Sequence, residues 1–269
     1  MLPLLLLILA LAACYASTLR GMANQWWTDE DMGHGFLVAP VVAWIVWRER
    51  ARLQSQAFSP SAWGFAVLAL GGAIHLAGAL GAGLFASSLA FLISITGVIV
   101  CCGGFPLLRA LAFPLLVTLF MLPKLAIVYN QATLPLQLLA SKMDAGMLSI
   151  SGAAVIREGN ILDVHGHRVS VEEACSGIRY LLPLGFLSVV FAYLADSKVW
   201  MRLVLLAAAV PVAITANAMR VAAAAWVPAL DSGTPHQLTG AVIFTLSLAA
   251  LLPLKRCFDL LYTRYHAQP

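Results

Sequence analysis

Of the 269 residues, 61% are hydrophobic and only 10% are charged, whereas soluble domains carry roughly a quarter charged residues. That composition excludes a globular domain with a mere anchor and calls for a polytopic membrane protein. The net charge of +4 is small and spread along the chain; it suits cytoplasmic-side anchoring and gives no hint of nucleic-acid binding.

The first apolar segment, Leu2 to Ser17, is about long enough to span if slightly extended. Leu11-Ala12-Ala13-Cys14 has the form of a lipoprotein cleavage box, but no basic residue precedes it, so the segment reads as a first span. Arg20 to Gly35 reads as a polar loop, with Trp26 and Trp27 suited to a membrane interface. Phe36 to Trp47 then runs apolar into Arg48-Glu49-Arg50-Ala51-Arg52. This basic cluster is the strongest orientation signal and places that end in the cytoplasm. Trp63 to Leu80 goes out, Gly81-Ala82-Gly83 turns, Leu84 to Val100 returns towards Arg109, and Leu111 to Leu122 goes out again.

A long insertion follows, about residues 123–174. Thr133 to Ile150 has apolar residues at helical spacing, with Gln137, Lys142 and Asp144 between them. It reads as an amphipathic helix on the outer surface. Asn160 to Val164 and His167 to Val171 alternate like two short strands, joined at His165-Gly166. Three spans remain: Gly177 to Ala195, Leu203 to Trp226 and His236 to Leu254. The expected fold is therefore an all-α polytopic membrane protein forming one domain over residues 1–269. It has about eight transmembrane helices, both ends inside, an outer-face amphipathic helix and a short β-hairpin. Lys124, Lys142, Arg157 and Arg168 in the outer segment weigh little against this, because long translocated segments follow the positive-inside rule poorly.

Counting from the basic anchors brings three residues to one depth. Cys175 lies 23 residues before Lys198, Arg220 lies 18 after Arg202, and His236 lies 19 before Lys255. At 1.5 Å per residue these separations are roughly 27–35 Å, about one hydrocarbon thickness. Consecutive antiparallel helices with short links pack side by side, so a thiol, a guanidinium and an imidazole can share an outer-face pocket. A thiolate is the strongest side-chain nucleophile near neutral pH, and positive charge nearby lowers its pKa. His236 can take the thiol proton and return it to a leaving amine. Arg220 can hold an oxyanion. Arg179, four residues after Cys175, adds to the positive field. The reaction class is acyl transfer from a peptide through a thioester.

Each residue also has a plainer reading. Buried cysteines usually act as small hydrophobes, and Cys14, Cys101, Cys102 and Cys257 are read that way. The five cysteines form no CxxC pair and no zinc spacing, so neither a disulfide framework nor a metal is indicated, and no cofactor is called for. An arginine near a helix end commonly snorkels to headgroups. His236 can cap a helix after Thr234-Pro235, and His165 and His167 can decorate a turn. Equal depth on three successive helices is what raises Cys175, Arg220 and His236 together.

At these residues the chain resembles the exosortase/archaeosortase family of membrane transpeptidases. Glu173-Ala174-Cys175-Ser176-Gly177-Ile178-Arg179-Tyr180-Leu181 is similar to the family's cysteine motif. Ala216-Asn217-Ala218-Met219-Arg220-Val221 is similar to its arginine motif, and His236 with Gly240 to its histidine motif. Gly33-His34-Gly35-Phe36-Leu37-Val38 followed by Trp47-Arg48 resembles its second-helix signature. Leu134 to Leu138 and Arg157-Glu158-Gly159-Asn160 are similar to it as well, so the resemblance covers nearly the whole chain.

The resemblance implies catalytic Cys175, Arg220 and His236, with Arg179, Asn217, Glu173 and His34 binding substrate. It implies a bacterial inner-membrane enzyme with its active site facing the periplasm. Its partners would be membrane proteins carrying a C-terminal sorting signal: a Pro-Glu-Pro-like motif, a transmembrane helix and a basic tail. Cleavage would pass the protein to an acceptor in export associated with exopolysaccharide. The histidine region, Thr234-Pro235-His236, lacks the aspartate expected beside the histidine in some subfamilies, which leaves the subfamily open.

Two rivals remain from the residues. Glu172-Glu173 suggests the Glu-Glu-x-x-x-Arg motif of prenyl-type membrane peptidases, but Gly177 stands at the arginine position; no HExxH or Gly-x-Ser-x-Gly occurs either. A non-enzymatic transporter or assembly scaffold could use Arg179 and Arg220 to bind an anionic substrate.

Overall fold

The computed structural model describes residues 2–29, 31–164, 167–170, 178–196, 198–227 and 233–266. Within them the side chains at 2–5, 82, 126–128, 132, 167, 169–170, 178–181, 222, 224–226, 233–237 and 264–266 are not described. The chain forms two compact units, Met1–Leu125 and Ala126–Pro269.

In the first unit, α1 (Leu2–Cys14) and α2 (Ala16–Thr28) meet at a 68° bend. The stretch from Arg20 expected as a loop is thus helical to Thr28. It contains no proline and few β-branched residues, and nothing in it stops a helix before Thr28. A short connection leads to α3 (Gly35–Arg48) and the basic turn α4 (Arg50–Gln54). There Arg48 lies over Trp44 and Arg50 over Trp47, at 5.6 and 4.5 Å from the ring centres, a pairing suited to a headgroup layer.

Next come α5 (Trp63–Ala77), a wide helical turn (Gly78–Ala82), α6 (Gly83–Ala110) and α7 (Ala112–Thr118), which tightens into a single turn at Leu119–Met121. The turn expected at Gly81-Ala82-Gly83 is present, with φ of 147° at Gly81 and 84° at Gly83. Small residues at the α5–α6 seam, Gly71 and Ser94 among them, let the two backbones approach closely. The Tyr15 hydroxyl closes this seam polarly, 2.8 Å from Ser94 Oγ. α6 runs past the expected end at Val100, through Gly104 with φ of 74°.

The second unit opens with α8 (Ala126–Ile150), seven residues longer at its start than the expected amphipathic helix. Three short antiparallel strands follow in the order β1 (Val155–Glu158), β2 (Ile161–Val164) and β3 (His167–Ser170). The expected hairpin is β2–β3, with Val164 opposite His167; its tip, His165-Gly166, lies outside the described residues. β1 is an additional strand, paired through Val155–Val164 and Glu158–Ile161. The sheet is held to α8 by an apolar core of Ala140, Leu148, Ala153, Leu162 and Val164, which also takes in Val221. Arg157 Nη1 pins the same joint by donating to Leu138 O, Ser141 Oγ and Gly159 O at 3.4, 3.1 and 3.0 Å.

α9 (Ile178–Ala195), α10 (Val199–Trp226) and α11 (Gly233–His266) complete the unit. α11 continues well beyond Leu254. Lys255 pairs with Asp259 at 2.6 Å one turn on, and Phe258 packs against the Ala192–Met201–Leu205 cluster, so the basic pair does not end the helix.

Eight apolar helical segments stand where spans were expected, but not all have the length. Trp63–Gly81, Gly83–Ala110, Val199–Val221 and Leu238–Thr263 are long and apolar enough to cross a membrane, and the bent α1–α2 pair makes a fifth if it is one span. Gly35–Arg48, Ala112–Met121 and Leu182–Ala195 are shorter apolar helices. The fold is thus mostly helical with four or five qualifying spans among the described residues and a small sheet.

Candidate active site

The anchors used for counting gather at one end of the second unit. Asp196, in the α9–α10 link, lies 3.5 Å from Lys255 of α11, and Arg202 Nε donates to Asp196 O at 2.7 Å. Lys198 stands 4.0 Å over the Tyr262 ring, while Trp200 stacks on that ring at 5.2 Å. The backbone N–H of Lys198, first among the causes, and the charges nearby hold the Asp196 carboxyl below its ordinary range. Three helices, α9, α10 and α11, leave this end and pack against one another.

Towards its other end α10 carries Asn217 and Arg220 one turn apart, each 3% exposed. They line a narrow cleft with Leu184 of α9 and with Gly240, Phe244 and Ser247 of α11. An arginine this buried is not reaching outward for headgroups, so the snorkelling reading of Arg220 fails. A wider apolar groove, lined by Pro211, Met219, Leu246 and Ala250, opens beside the cleft along the same two helices.

The other expected site residues fall as follows. His236 lies in the first turn of α11, one turn before Gly240, and Arg179 in the first turn of α9, five residues before Leu184; their side chains are outside the described set. Cys175 and Glu173 lie in 171–177, also outside the described residues, three and five positions ahead of the first residue of α9. His34 belongs to the first unit, where it precedes α3 and is 8% exposed. Its Nδ1 lies 3.2 Å from Asp31 O and its Nε2 3.0 Å from Phe120 O. A neutral imidazole donates to only one of these carbonyls. Burial nevertheless dominates and lowers the His34 pKa, with the two carbonyls opposing. Beside it Lys124 bridges Asp29 and Asp31 at 3.0 and 2.7 Å. Burial works against the ammonium, but both carboxylates outweigh it and raise the Lys124 pKa.

One residue of the second unit is invisible to the sequence argument. Asp144 on α8 is 0% exposed, and neither carboxyl oxygen has a hydrogen-bond partner. Burial pushes its carboxyl up to about 8, against the pull of the Arg220 charge. Its face also carries Ala140, Ser141 and Leu148, all buried. In sequence a lone acid on an amphipathic helix reads as solvent-facing. The only clue was the spacing of Asp144 from Ala140 and Leu148, four residues on either side.

The family model described as transmembrane exosortase matches residues 26–253. No curated protein and no solved structure matches the chain.

Proposed function

The chain belongs to the transmembrane exosortase family, and on that premise we propose that it is a membrane-embedded cysteine transpeptidase. Its substrates are membrane proteins ending in a Pro-Glu-Pro-like motif, an apolar helix and a basic tail. The Cys175 thiolate attacks the scissile carbonyl carbon after giving its proton to His236, and Arg220 holds the oxyanion that forms. His236 returns the proton to the leaving amine as the C–N bond breaks, leaving a thioester. An acceptor nucleophile then attacks the thioester and frees the thiol. Arg179, Asn217, Glu173 and His34 take the substrate-binding part.

The observation that carries this reading is the burial of Arg220 and Asn217 in a cleft that Gly240 also lines, one helical turn beyond His236. An arginine inside an apolar helix bundle is costly and marks function by default. The arrangement goes with eight spans, both ends in the cytoplasm and a periplasmic active site in a bacterial inner membrane. Export of the product is associated with exopolysaccharide.

The test is coexpression of the full chain with a tagged reporter carrying such a tail. Wild type removes the tail, and Cys175→Ala at equal expression leaves the reporter full length in the membrane. Normal processing by Cys175→Ala would end the nucleophile assignment and favour a transporter or scaffold, whose work survives loss of a thiol.

A further inference from the structure

The proposed chemistry gives Asp144 no task, yet its position is costly. It has no exposed surface and no hydrogen-bond partner for either carboxyl oxygen. Arg220, next to the core residue Val221, supplies the opposite charge that acts on it, and the two side chains share no hydrogen bond. Among the described residues, the charged groups on the strands packed against α8 are directed elsewhere. Arg157 of β1 is engaged with Leu138, Ser141 and Gly159, Glu158 of β1 is exposed, and Asp163 of β2 faces Arg168 of β3 at 3.7 Å. Lys142, on α8 itself, is exposed.

A buried carboxylate without a partner is unstable; it either holds its proton or draws in a cation. Among the described residues, Arg220 is the cation whose charge acts on Asp144, and it also lines the cleft between α9, α10 and α11. We propose that Asp144 is a positioning residue that sets where Arg220 points. As the neutral acid it leaves the guanidinium in the cleft. After releasing its proton to bulk water it pulls the guanidinium towards α8 into a buried ion pair, and the oxyanion loses its partner. The inference rests on the transpeptidase reading for its consequence, but the coupling between Asp144 and Arg220 does not. Burial, the main cause that holds the acid form up to about 8, places the change within an accessible pH range.

The test has two arms on the full chain in lipid vesicles. Infrared difference spectra between pH 6 and pH 10 should contain the C=O band of an undissociated carboxylic acid that disappears around pH 8. The band should be missing in Asp144→Asn and should disappear at higher pH in Arg220→Gln, where the counter-charge is gone. Absence of the band at pH 7, or its indifference to Arg220→Gln, would overturn the coupling. In the second arm, tail removal from a Pro-Glu-Pro reporter at pH 9 relative to pH 7 should fall about tenfold in wild type, as expected for loss of one proton above its pKa. Asp144→Asn should fall less than about twofold over the same interval. An equal fall in both proteins would overturn the positioning role, while a purely structural Asp144 would leave the ratio unmoved. Equal cutting by Cys175→Ala and wild type would instead refute the transpeptidase reading, with the infrared arm still deciding the coupling.

Discussion

The sheet on the second unit makes a sharp demand of two neighbouring residues. Leu162 in β2 is 0% exposed and Ile161 is 38% exposed, because successive strand side chains point to opposite faces. Leu162 packs in the core that joins α8, the sheet and Val221, next in sequence to Arg220. Leu162→Ala removes three carbons from that core, at about 0.8 kcal/mol each for transfer alone. A residual cavity brings the cost to about 3 kcal/mol. Ile161→Ala, on the outer face, should cost about 0.5 kcal/mol. Amide hydrogen exchange of the sheet in the full chain reads this directly. A loss of about 3 kcal/mol accelerates exchange through local opening by rather more than about a hundredfold, whereas the Ile161 variant should change it less than about threefold. Tail removal should fall with Leu162→Ala, since the platform under Arg220 loosens. Equal or reversed effects would mean the strand is one residue out of register, which turns every side chain to the other face.

Gly104 and Gly72 should respond oppositely to alanine. At Gly104 φ is 74° and an added Cβ would run into Ser59 O, so Gly104→Ala should cost more than about 2 kcal/mol and lower the folded yield. At Gly72, in α5, an added Cβ meets nothing within 4 Å, so Gly72→Ala should raise thermal stability, by up to about 1 kcal/mol; thermal midpoints in one detergent compare the two. Reporter fusions at Ala51 and Asp196 should register cytoplasm, and a fusion at His165 the outer side; a cytoplasmic signal at His165 would dismantle the periplasmic site.

Much of the second unit was legible because its signals are redundant. Lys198 and Arg202 mark the α9–α10 link, and Lys255, inside α11, joins them through Asp196. The alternation in Asn160 to Val164 marked a strand, and the structure shows which face is buried. Strand β1 escaped notice because Val155 to Glu158 is only four residues and three of them are exposed, which leaves no apolar period to read. α2 escaped because its polar residues read as loop when only hydrophobicity is followed. Lengths proved the weakest part of the span reading. An apolar run such as Phe36 to Trp47 shows where a helix forms, but its 14 residues, Gly35 to Arg48, reach about 21 Å, short of a bilayer core. Arg220 drew notice in the sequence because arginine in an apolar run demands an explanation, and it is buried. Asp144 did not, because an acid on a helix of mixed character carries no such demand until the face it occupies is known.

The central claim is that Cys175 forms a covalent bond with the substrate. Purified full chain should be mixed with the tailed reporter, quenched in acid within the first turnovers and digested for mass spectrometry. The account predicts that the Cys175 peptide carries the mass of the reporter segment ahead of the cleavage point, as a thioester released by hydroxylamine and absent in Cys175→Ala. Tail removal proceeding with Cys175 unmodified throughout, or with the acyl group on another residue, would contradict it.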